Sequence, residues 1–393
     1  MDTPVLNISP VKFPEDVSFF TKLMTLGLLL TLVGSFIPIS SKFGNNIFYI
    51  LVLLPFLISL ATKERTNYRL GVLAPWFFGF VAVMSVFAFQ QEPLKAVKYP
   101  IYLVCFWSVI SSLVARQVIN PDKLALWMMG LSITFSVALL FIHFVVNAEP
   151  LSVRPNFWET FRFGNPIHVC MLLVCFTVTG IMALPKRLQP VLGSIIILSI
   201  LVIQSLFQTR SGIAGLLGAG AFLILVVALK NSNIGKTGII AALLVVIGGV
   251  LIHQMNLFDV LLARGNSYRL ELYRIAWSEY LDCNLLTGCG YGYEFKSTLS
   301  GGHPIAHPHS IYSSLLVYLG PLSLIALLAL QLRAFFANWK IMSPWFYGVA
   351  CSSAFFLLDG KNILDNLNIT WICLILPLAI IDGQTRINQE SNK

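Results

Sequence analysis

Runs of about 20 apolar residues separated by short polar breaks recur along the whole chain, which is the length a helix needs to cross a hydrocarbon core about 30 Å thick. Inside lipid the backbone must satisfy its own hydrogen bonds, so runs of this kind can only be helices. Apolar residues make up 57% of the 393 and charged residues 11%, too few to cover a water-facing surface. Helices are predicted near residues 20–39, 46–61, 70–89, 99–115, 124–146, 167–184, 190–207, 211–229, 238–253, 311–330, 342–358 and 367–381. The fold class is therefore an all-α polytopic membrane protein with about a dozen transmembrane helices, residues 1–393 forming a single integral membrane domain. Asp2, Glu15 and Asp16 precede the first run and no small-residue cleavage site follows it, so an uncleaved first helix is expected.

The 26 basic and 17 acidic residues would suggest nucleic acid in a soluble protein. Here the basic residues sit between the apolar runs, where they read as topology signals, and no nucleic-acid partner is expected. Fifteen Lys and Arg fall in one set of breaks, among them Lys63, Arg65, Arg69, Lys186, Arg187, Arg333 and Arg386. The opposite set, leaving out its one long loop, holds seven: Lys42, Lys95, Lys98, Arg154, Arg162, Arg210 and Lys361. The bias places both termini in the cytoplasm and the segments 147–166 and 254–310 outside. Within the longer segment Leu270, Tyr273, Trp277 and Leu281 recur at helical spacing, which predicts an amphipathic helix over 268–281 against the membrane surface.

Several residues could carry chemistry. Arg210 interrupts an apolar stretch in Phe207-Gln-Thr-Arg-Ser-Gly212, where it needs an anionic partner or must snorkel to the interface. Arg264, Arg269 and Arg274 follow within eleven residues on the long loop. A guanidinium fork matches phosphate oxygens two at a time, so such arginines suit a lipid pyrophosphate, or equally ordinary anionic head groups of membrane lipids. Gly302-His-Pro-Ile-Ala-His-Pro-His-Ser310 holds three of the six histidines and runs into a helix. His309 there could take a proton from an attacking hydroxyl. A zinc site on His303, His307 and His309 is the competing reading, although two prolines stiffen the stretch and it contains no Cys or carboxylate. The chain has no Asp-x-Asp pair to hold a pyrophosphate through a divalent cation, so arginine would have to replace the metal.

Gly288, Gly290 and Gly292 follow a surface helix with no strand before them and read as a turn rather than a phosphate loop. Cys105, Cys170, Cys175, Cys351 and Cys373 fall in apolar runs and read as packing residues. Cys283 and Cys289 lie on the outer loop, where they could remain thiols or close a disulfide.

These residues resemble the lipopolysaccharide O-antigen ligases, within the wider group that includes O-antigen polymerases and protein O-oligosaccharyltransferases. His309-Ser310, nine residues and Gly320 fit the ligase motif, whose last position is here Ser323 instead of Gly, Thr or Tyr. Arg210-Ser211 matches an arginine beside a small residue at an outer helix end. Arg269, opening a loop helix that leads to Gly288-Cys-Gly290, best matches the family's second arginine, with Arg264 as fallback. The resemblance spans roughly 207–323 and implies a glycosyltransferase of GT-C-like architecture in the bacterial inner membrane. It further implies inverting, metal-independent transfer on the periplasmic side without a cofactor. The partners implied are an undecaprenyl-pyrophosphate-linked O-antigen donor and a lipid A-core acceptor. His309 would be the base, with Arg210 and Arg269 stabilising the leaving pyrophosphate.

Two other readings remain. An O-antigen polymerase would use the same donor, and a transporter or flippase would do no chemistry. The second is disfavoured by charged residues that gather at helix ends and by the lack of an evident internal repeat.

Overall fold

The computed structural model of the protein describes residues 9–14, 17–62, 68–89, 92–209, 212–213, 215–220, 268–300, 302, 304–360 and 363–391. Among these residues the regular structure is helical, and the only β pairing is in three isolated bridges. In chain order the helices are α1 (Phe19–Gly34), α2 (Ser41–Ala61), α3 (Ala74–Phe89), α4 (Pro93–Ala115), α5 (Pro121–Val146) and α6 (Pro166–Ala183). After them come α7 (Gln189–Leu206), α8 (Arg269–Leu281), α9 (Ile311–Ile341), α10 (Trp345–Leu358) and α11, which joins Trp371–Ile375 to Leu376–Ser391. Among the described residues six helices are long and apolar enough to cross a membrane, and α1, α3 and α10 are shorter apolar helices. The chain is thus an all-α polytopic membrane protein. The helices expected near 211–229 and 238–253 lie mostly or wholly outside the described residues.

Local chemistry sets where these helices begin. Asn120 and Asn165 each precede a proline at the first helical position, and their side-chain oxygens accept from Lys123 N at 3.0 Å and Ile167 N at 2.9 Å. A proline there loses nothing, because its missing N–H would have been an orphan in any case. Within helices the same residue has the opposite effect. The π-turns Tyr49–Leu53 and Trp371–Ile375 are each followed within two residues by a proline, Pro55 and Pro377, and the widened turn makes room for the ring.

The N-terminus of α3 is held by a carboxylate from α11. Asp382, fully buried, accepts from Gly71 N (3.0 Å), Leu73 N (2.7 Å), Ala74 N (3.1 Å), Ser111 Oγ (2.7 Å) and Trp107 Nε1 (3.3 Å). These donors compensate the desolvated charge, which also meets the positive end of the α3 dipole.

The sequence pattern misjudged several helix ends. The helix expected to stop near 330 runs to Ile341, and the last one runs to Ser391 instead of 381. Hydropathy marks where lipid ends, whereas a helix continues while its polar residues find partners. At the end of α11, Glu390 pairs with Arg386 and with Arg69, both at 3.0 Å. The surface helix expected over 268–281 is present as α8. Its Leu270, Trp277 and Leu281 are exposed, while Leu272, Ala276 and Tyr280 pack on the protein. Of the four residues of the expected stripe three are thus exposed, while Tyr273 is half-buried and turns its hydroxyl to Leu357 O of α10.

Candidate active site

The starts of α2, α6 and α11, the residues just before α9 and the end of α10 meet on one face. At this face lies a pocket of about 480 Å³, lined by Asn45 of α2, Asn165 and His168 at the start of α6, His307 and His309, and the connection that follows α10.

His309 stands immediately before Ser310, the N-cap of α9, whose side-chain oxygen accepts from Ser313 N at 3.4 Å. Its backbone is left-handed, at φ 53°, a conformation that non-glycine residues hold only where their surroundings enforce it. One such constraint is the His309 N–H, which donates to His307 Nδ1 at 3.2 Å and leaves the two rings 3.9 Å apart. The other is Asp359, the C-cap of α10, whose Oδ1 lies 3.6 Å from His309 Nδ1. Gly360, at φ 135°, makes this approach possible, since a Cβ there would come within 2.5 Å of Ile311 Cγ1.

The Asp359 side chain is only 14% exposed against 44% for His309. Burial pushes its carboxyl up, but His309, His168 and the Gly360 N–H outweigh burial and hold it below the usual carboxylate range. Asp359 is thus an anion that holds one imidazole nitrogen, while the more exposed ring faces the pocket.

Arginine reaches this face from two directions. Arg269 opens α8 and lies beside Tyr273, which donates its hydroxyl hydrogen to Leu357 O. Burial pushes the Tyr273 phenol up and Asp359 adds to this, while Arg269 and a hydrogen bond with Ser310 act the other way. The Tyr273 hydroxyl ties α8 to the end of α10, two residues before Asp359, and Arg269 stands one helical turn before it on α8. Arg162 comes from the loop before α6. Its Nη2 donates to Asn45 Oδ1 at 2.6 Å and to Leu367 O, so it joins three segments around the pocket. Burial lowers its pKa to about 10, opposed by Tyr49 and Asp365, and it stays cationic at neutral pH.

Of the residues expected from sequence, His307 and His309 line the pocket together, and Arg269 stands one helical turn before Tyr273, outside the pocket lining. Arg210, Arg264 and His303 lie outside the described residues. The turn at 207–209 is tied to the same face, because Arg154 Nε donates to Phe207 O (3.3 Å) and Gln208 Nε2 to Leu151 O (3.0 Å). Among the described residues no group of three His, Cys, Asp or Glu side chains is arranged to hold a metal ion. Sequence reasoning missed Asp359, His168 and Arg162. The available signal for Asp359 was a carboxylate at the end of an apolar run, on the side already assigned to His309.

The fold and the pocket define a polytopic helical membrane protein with a histidine–carboxylate pair and arginines at the mouths of its helices. No protein-family model matches the chain. It is 24% identical over 381 residues to an O-antigen ligase of Pseudomonas aeruginosa, an alignment that covers 91% of this chain and 90% of the relative. That relationship supports the O-antigen ligase family for this chain, in agreement with the motif resemblance.

Proposed function

We propose that the chain is an O-antigen ligase of the bacterial inner membrane. It would transfer an O-antigen polysaccharide from undecaprenyl pyrophosphate to a sugar hydroxyl of lipid A-core, with inversion and without a metal. The observation that carries this reading is the His309–Asp359 pair at 3.6 Å in a pocket that also holds Arg162, with the helix that Arg269 opens tied through Tyr273 to the end of α10. The basic-residue bias supports cytoplasmic termini and a periplasmic site.

Two barriers limit such a transfer: the acceptor hydroxyl is a poor nucleophile, and negative charge develops on the departing pyrophosphate. His309 is assigned as the base that draws the hydroxyl proton, a role that contributes about 10² to 10⁴ in rate. Asp359 orients the ring and stabilises the imidazolium that forms. Arg269, with Arg210 of the matching motif, is assigned to the pyrophosphate, Arg264 being the alternative. Fixed positive groups aimed at developing charge are often the largest catalytic contribution.

The pocket wall suits a polyhydroxylated ligand. Asn45 Oδ1 accepts from Arg162, Asn165 Oδ1 from Ile167 N and Asn366 Oδ1 from Tyr49 Oη. Among the described residues no acceptor is bonded to these NH₂ groups, and the carboxylates of Asp359 and Asp365 line the same cavity. Donors and acceptors so interspersed match the alternating demands of sugar hydroxyls.

A deletion strain tests the reading. Loss of a ligase leaves core-only lipopolysaccharide while long chains accumulate on the lipid carrier. Core bearing a single repeat unit would mean a polymerase instead.

A further inference from the structure

Helix α9 is broken at its tenth and eleventh residues. Gly320 has φ 74° and ψ 174°, outside the helical region, and Pro321 follows it. Proline has no N–H, so the carbonyl of Val317, four residues earlier, loses its helical donor. That carbonyl is supplied from elsewhere: the backbone N–H of Cys289 donates to it at 2.6 Å. Cys289 is also joined to Cys283 by a disulfide.

The loop that the disulfide closes is shaped to this break. Gly288, at φ 71°, lies so close to α9 that a Cβ would come within 2.5 Å of Val317 O and 2.8 Å of Gly320 N. A Cβ on Gly320 would in turn come within 2.1 Å of Leu286 O. The two glycines are the facing halves of one backbone-to-backbone contact. Inside the loop Gly288 N donates to Asn284 O (2.8 Å), Asn284 Oδ1 accepts from Leu286 N (2.9 Å), and Tyr280 Oη donates to Leu285 O (2.7 Å). At the other end of this half-helix stands His309, directly before the N-cap Ser310.

We propose that the Cys283–Cys289 disulfide is a positioning cross-link for His309. It keeps the loop in the shape that occupies the break, and the occupied break fixes the direction of residues 311–319, which aims the imidazole at Asp359 and the pocket. This rests on His309 being the base of the proposed transfer. With the disulfide reduced, the loop gains freedom, the Val317 carbonyl loses its donor, and the half-helix swings about Gly320. Reduction by dithiothreitol balances simply: the protein disulfide takes two electrons and two protons to give two thiols, and the reagent becomes its cyclic disulfide. The five remaining cysteines are buried thiols that dithiothreitol leaves unchanged.

The test uses the full chain in detergent with lipid-linked donor and core acceptor, before reduction, after reduction confirmed by the mass of alkylated thiols, and after reoxidation. Full reduction is expected to lower kcat at least 10-fold, leave the donor KM within about twofold, and reverse on reoxidation. The doubly substituted Cys283→Ser, Cys289→Ser protein should show the same low kcat whether or not reductant is present. A fully reduced enzyme with undiminished kcat overturns the proposal. So does a parallel loss of kcat, donor affinity and thermal stability, which would mean general loosening rather than positioning. His309→Ala is assayed beside them: if it turns over normally, the base assignment itself fails. If it is inactive while the reduced enzyme is fully active, that assignment stands and only the cross-link proposal is lost.

Discussion

Replacing Asp359 with Asn keeps the shape of the side chain and removes its charge, which isolates the electrostatic part of the proposed mechanism. At the observed 3.6 Å the attraction between a carboxylate and an imidazolium ranges from about 1 kcal/mol in water-like surroundings to about 5 kcal/mol at an effective dielectric of about 20. The ring is 44% exposed, so solvent screens the pair and the upper figure is a ceiling. If the proton is about half transferred in the transition state, half of that attraction is lost on substitution, about 0.5 to 2.5 kcal/mol. Each 1.36 kcal/mol is tenfold in rate, so kcat is expected to fall by about 2- to 70-fold, with misorientation of the ring adding to it. The assay is release of lipid pyrophosphate by purified protein at saturating donor, with donor binding measured separately. A variant with wild-type kcat and unchanged binding would refute the role given to Asp359. Loss of donor binding with kcat intact would assign the carboxylate to substrate recognition instead.

Three further outcomes follow from the same structure. Arg269→Lys keeps the charge and loses the planar fork, so ligation is expected to drop at least about 10-fold, and near-normal activity would move the role to Arg264. Glu279 accepts from Tyr293 Oη (2.7 Å), Ser297 N (2.9 Å) and Lys296 N (3.4 Å), and although burial pushes its carboxyl up, these bonds hold it below the ordinary range. A depressed carboxylate contributes stability above its unfolded pKa of about 4.3 that is lost as pH falls through the folded value. Glu279→Gln should therefore be less stable than wild type at pH 7 by about 1–3 kcal/mol, read as a lower melting temperature, and the gap should narrow below pH ~4. Asp382→Ala leaves five donors around a buried void and should cost at least about 3 kcal/mol, read as a large loss of monodisperse protein in detergent.

The residues that announced themselves in the sequence were those that break a local rule. Arg269 opens a polar helix in an apolar chain, and His309 sits among prolines at a helix mouth. Residues whose role depends on partners far along the chain were silent. Asp359 is 50 positions from His309 and Arg162 is 205 from Leu367, and only the packing of α6, α9 and α10 brings each to its partner. The pairing of Cys283 with Cys289 remained open in the sequence because proximity along the chain does not fix side-chain direction. The same limit applies to Gly320, which fitted a motif by spacing alone. Its reason is the approach of Leu286 O, a contact from another segment. Helix existence was legible from hydropathy, whereas helix ends beyond the apolar runs depended on pairs such as Arg69 with Glu390.

The most direct test of the central claim is turnover by purified wild-type and His309→Ala protein, with lipid-linked donor and core acceptor in excess EDTA. Wild type is expected to form the glycosidic product and release lipid pyrophosphate despite the chelator, and His309→Ala to bind donor while forming no product. Product from His309→Ala at the wild-type rate, or wild-type activity lost to chelator and restored by zinc, would contradict the account.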